Sequence, residues 1–82
     1  MRVIAELPHP VCKISLYKMG QKYIIKFEQG QLEQSFKISE LDLSGGGVDE
    51  IFQFLDEEFM NSIAERFKNM RSDFSAAYQR QQ

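Results

Sequence analysis

KISELDLSGGGVDEIFQFLDEEF (Lys37 to Phe59) contains the change of pattern that decides the fold. Ahead of Ser44 apolar and polar residues alternate, the period of a strand with one buried face; from Val48 they recur at three- and four-residue steps, the period of an amphipathic helix. Between the two regimes stand Gly45, Gly46 and Gly47. Glycines before a helix raise the question of a phosphate loop. A P-loop needs a lysine and a hydroxyl residue after its last glycine, and a dinucleotide fold needs the spacing G-x-G-x-x-G. Here Val48, Asp49 and Glu50 follow, and two carboxylates in the first turn would repel an anion from the helix amides. Residues 44–47 therefore read as a hinge, with a glycine N-cap, that lets the helix swing back across a sheet.

Upstream, Cys12, Ile14 and Leu16 alternate with Lys13, Ser15 and Tyr17; Gly20 turns the chain into KYIIKFE, where Tyr23, Ile25 and Phe27 form the apolar face. A second turn at Gln29–Gly30 leads to Leu32, Phe36 and Ile38. Short turns force antiparallel neighbours, so residues 11–39 are expected to form a three-stranded meander. Pro8 and Pro10 extend the chain around His9, and residues 1–10 are left as an N-terminal extension.

Downstream, Val48, Phe52, Leu55, Phe59, Ile63, Phe67, Met70 and Phe74 fall on one side of a helix over 48–74, with 75–82 as a tail. Asp49 and Glu50 open the helix while Arg66, Lys68 and Arg71 lie toward its end, matching its dipole. The expected fold class is α+β: a three-stranded antiparallel meander packed by one long C-terminal amphipathic helix, β-β-β-α, in a single domain over 1–82. Its core would join Ile14, Leu16, Tyr23, Ile25, Phe27, Phe36 and Ile38 to Leu55, Phe59 and Ile63.

Eighty-two residues provide for one core. With 43% apolar and 27% charged residues and a net charge of −2, the chain is neither a disordered tail nor a strongly cationic nucleic-acid binder. The single cysteine, Cys12, excludes an internal disulfide, and with no signal peptide or spanning segment legible the expected location is the cytoplasm, with no membrane partner. His9 and Cys12 form an H-x-x-C pair lacking the other two ligands of a zinc site, so no metal or cofactor is expected. Asp56, Glu57 and Glu58 fan out around a helix and cannot converge on one atom. No nucleophile and base stand out, and the chain is not expected to be an enzyme.

Charge is unevenly spread: residues 1–39 carry six Lys/Arg against three acids, and residues 40–82 four against nine. Lys13, Lys22, Lys26 and Lys37 share the outer sheet face with Tyr17, the composition by which small sheets hold single-stranded nucleic acid. Lysines also simply solvate an exposed sheet and guard its edges. Five of seven phenylalanines lie in the helical third. Three strands at about 4.8 Å spacing span about 15 Å, whereas 48–74 as helix is about 40 Å long, so Phe67, Met70 and Phe74 overhang and Phe54 faces off the stripe. Such a wet apolar patch implies a two-fold homodimer, and hence a non-enzymatic protein-interaction module.

The run KYIIKFEQGQLEQSFKISELD followed by FLDEEF resembles small bacterial proteins of unassigned function, a likeness that implies the meander and helix and no activity. A weaker similarity is to the Pur-type nucleic-acid-binding repeat, a curled antiparallel sheet preceding a helix, two units of which pair. FQFLDEEF resembles the start of that helix. The chain is one strand short of that pattern and less basic, so no site residue carries over.

Overall fold

The computed structural model of the chain describes residues 2–82, so Met1 of the expected N-terminal extension lies outside the described residues. The fold is α+β, with an antiparallel sheet and a long C-terminal helix, and the sheet has four strands rather than three. They are β1 (Arg2–Leu7), β2 (Lys13–Met19), β3 (Lys22–Gln29) and β4 (Leu32–Ser39), ordered β1-β2-β3-β4. The added strand comes from the expected extension. Its register on β2 shifts between Val3 and Ala5, and this bulge lets Ile4, Ala5 and Leu7 all pack toward the core. Two neighbours on one side break a period of two, which is why RVIAEL does not read as a strand.

Both later connections are two-residue Gly-Gln turns, Met19 pairing with Lys22 and Gln29 with Leu32. Gly20 (φ 62°) and Gly30 (φ 60°) supply the positive φ that a tight hairpin of this length needs. Ile14, Leu16, Tyr23, Ile25 and Phe27 are buried as expected, but Ile38 is only half-buried and Phe36, on edge strand β4, is 38% exposed.

The single helix expected over 48–74 is two helices, α1 (Val48–Phe54) and α2 (Glu57–Arg80), after a short 3-10 turn at Glu40–Asp42. Asp56 causes the break. Its backbone is extended and its carboxylate accepts the Phe59 N–H at 2.8 Å, so it caps a new helix instead of continuing the old one. Ile63 is buried as expected, Ile51, Met60 and Phe67 are buried in addition, and Leu55 and Phe59 are half-buried against the core. The expected tail is helical as far as Arg80.

The glycine connection is shaped by contacts. Gly45 (φ 95°) and Gly47 (φ 58°) hold left-handed conformations, and a Cβ on Gly46 would stand 3.0 Å from that of Glu50. Glu50 reaches back so that both its carboxylate oxygens accept the Ser44 N–H, at 3.0 and 2.8 Å. Gly47→Ala is expected to cost about 1–3 kcal/mol through backbone strain alone. A denaturation midpoint equal to wild type would show that this turn relaxes freely.

Candidate interaction surface

Helix α2 lies along β4 and antiparallel to it. The Phe59 ring meets Phe36 at 5.6 Å, Gln34 Nε2 donates to the Ile63 carbonyl at 3.0 Å, and Arg71 donates to Gln29 Oε1 beside the β3–β4 turn. From Arg71 to Arg80 the helix continues about 14 Å past that turn at 1.5 Å per residue. An open cleft of about 710 Å³ lies beneath this overhang, lined by Gln29, Gly30, Leu32, Arg71, Phe74 and Tyr78. Phe74 is 69% exposed and Tyr78 61%.

Of the four residues expected at a dimer interface, the structure divides two from two. Phe54 and Phe74 are exposed. Phe67 is fully buried in the chain's own core and offers no free surface, while Met70 packs against that core and stays half-buried. The sheet covers the expected stripe one turn further than expected, to Phe67, and Met60 beside that stripe is buried as well. Tyr78 was missed, although its four-residue step from Phe74 continues the apolar stripe. Among the described residues, five of the seven exposed large hydrophobic side chains (Phe36, Leu41, Phe54, Phe74, Tyr78) lie on β4 or later in the chain.

The register does place Lys13, Tyr17, Lys22, Lys26 and Lys37 on the outer sheet face, and it interleaves them with Glu6, Glu28 and Glu33. Lys13 lies 3.8 Å from Glu6, and Lys26 3.3 Å from Glu33. The hydrogen bond to Glu33, and then its charge, raise the Lys26 pKa. The Lys26 ammonium also sits over the Tyr17 ring, 5.2 Å from its centroid. The ring that would stack on a base already carries a cation, and Ser15, between Glu6 and Lys26 in the register, is fully buried despite facing outward. Four lysines against three glutamates leave this face nearly neutral. We expect mixed single-stranded oligonucleotides to be retained weakly or not at all at low salt by tens of micromolar protein. Tight binding with a steep salt dependence, abolished by Lys13→Glu with Lys26→Glu, would instead assign the face to nucleic acid.

His9 and Cys12 face different surroundings. His9 is exposed, its Nδ1 accepting the Val11 N–H at 3.1 Å, whereas Cys12 is buried in the core and burial pushes its thiol pKa up, keeping it protonated. Among the described residues no helix is long and apolar enough to cross a membrane. Comparison with family models, curated proteins and solved structures returns no significant match.

Proposed function

We propose that the chain is a non-enzymatic, cytoplasmic protein-interaction module that works as a homodimer. The overhang of α2 carries this: Phe74 and Tyr78 stand largely exposed over an apolar cleft, where a lone protomer would leave both rings in water. A second copy covers such a patch most economically, because a two-fold contact uses the same surface twice. Sedimentation at micromolar concentration should give twice the 9.6 kDa chain mass. Phe74→Glu should move it toward monomer with unchanged far-UV circular dichroism, since that side chain is not needed for the core. A wild-type monomer at hundreds of micromolar would sink the dimer.

Single-stranded nucleic-acid binding through the lysine face is the alternative. The fourth strand favours it by removing the difference in strand count from the Pur-type repeat, and the interleaved glutamates oppose it.

A further inference from the structure

Two strand edges are open, and they differ. β1 is bulged at Ile4 and ends at Pro8, two devices that discourage edge-to-edge pairing. β4 has eight residues in unbroken register with β3, contains no proline and carries the half-exposed Phe36. Of the two, β4 is the edge ready to pair.

Its register dictates which groups are free. Glu40 N–H donates to the Gln21 carbonyl at 2.8 Å, so the alternate residues bonded to β3 are Leu32, Gln34, Phe36 and Ile38. Glu33, Ser35 and Lys37 then direct their N–H and C=O groups to the open edge, with their side chains on the outer face. Resting on the dimer proposed above, we infer that two copies join β4 to β4 antiparallel about a two-fold axis at Ser35, making one eight-stranded sheet.

Charge selects that axis among the registers the hydrogen bonds allow. A two-fold at Glu33 or Lys37 sets like charges face to face. A two-fold at Gln34 or Phe36 opposes these charges to uncharged residues. Only the axis at Ser35 sets Glu33 opposite the partner's Lys37, and does so twice. Glu33 already holds Lys26 at 3.3 Å, so it would lie between two ammonium groups, while Lys37 has no ion-pair partner among the described residues. On the helix-covered face the same register puts Leu32 opposite the partner's Ile38 and Phe36 opposite the partner's Gln34, covering the Phe36 ring. It also brings the β3–β4 turn, with Phe74 and Tyr78 above it, alongside the partner's Ser39 end, where Leu41 is 85% exposed.

Ser35→Cys tests the axis directly, because hydrogen-bonded antiparallel partners lie about 5.5 Å apart at Cα, within disulfide range. Under mild oxidation this variant should form a covalent dimer at micromolar concentration. Ser39→Cys, whose opposite residue is the partner's Gln31, should not. Lys37→Glu should raise the dimer Kd about tenfold, and Glu33→Lys with Lys37→Glu should bring it back to within about threefold, since opposite charges face each other again. A wild-type dimer whose Ser35→Cys variant sediments as a dimer yet stays reduced would overturn the β4 seam and leave the dimer standing. So would a Lys37→Glu variant with unchanged Kd. A monomeric wild type would overturn both.

Discussion

Phe67→Glu is expected to unfold the chain. The ring is fully buried in the core cluster with Ile63, Ile51 and Phe27, so a carboxylate there would lose its hydration among apolar side chains that offer no cation in exchange. Total stability for a domain of this size is about 4–12 kcal/mol at 0.05–0.15 kcal/mol per residue, and an unpaired buried charge consumes several of those. Phe67→Ala, which leaves a cavity and no charge, should cost about 3–5 kcal/mol. Thermal melts followed in the near ultraviolet should show no cooperative transition for Phe67→Glu and a depressed one for Phe67→Ala. Seven residues further along the same helix, Phe74→Glu should melt near wild type because that ring is 69% exposed. A native-like melt for Phe67→Glu would show that α2 can roll on the sheet and release this position to solvent.

Phe27→Ala should be comparably damaging, about 3–5 kcal/mol and toward the upper end. Phe27 is fully buried at the centre of an aromatic triad, meeting Phe36 at 6.1 Å and Phe59 at 5.8 Å, both edge-on, while those two meet each other at 5.6 Å. Edge-to-face pairs contribute about 0.5–1.5 kcal/mol beyond their area, and one truncation here removes two of them. Chemical denaturation should show a lower midpoint with an unchanged slope. Phe36→Ala should cost clearly less, since that ring is already partly in water. Equal losses would place Phe36 in the core after all.

Much of the sheet was legible because local chemistry and long-range packing agree there. β2, β3 and β4 alternate on their core face, with only Ser15 and Ile24 buried on the outer face of β2 and β3, and are separated by Gly-Gln turns that any antiparallel hairpin would accept. β1 was not legible, because the bulge at Ile4 turns adjacent residues toward the core and erases the alternation. The outer-face lysines were legible from alternation, and Glu28 and Glu33 were present in the same pattern as their neutralising partners. Glu6 was hidden with its strand. Phe54 and Phe74 were correctly read as exposed, one from its angle around the helix and the other from its distance beyond the sheet.

The strand period, the change of period after Ser44 and the need for glycine before the helix are set by the residue order, since each depends on neighbours a few positions apart. The break at Asp56, the burial of Phe67 and the free edge of β4 depend on tertiary structure. DEE reads as a solvated helix face, whereas in the structure Asp56 caps α2 and Glu57 and Glu58 form its first turn. Helix periodicity defines an apolar side to within about one residue, roughly 100° of rotation. Whether the inward line is centred on Leu55 and Phe59 or turned toward Ile51 and Met60, leaving Leu55 and Phe59 half-buried, is set by how the side chains of the sheet interlock with the helix, a constraint carried by no single segment.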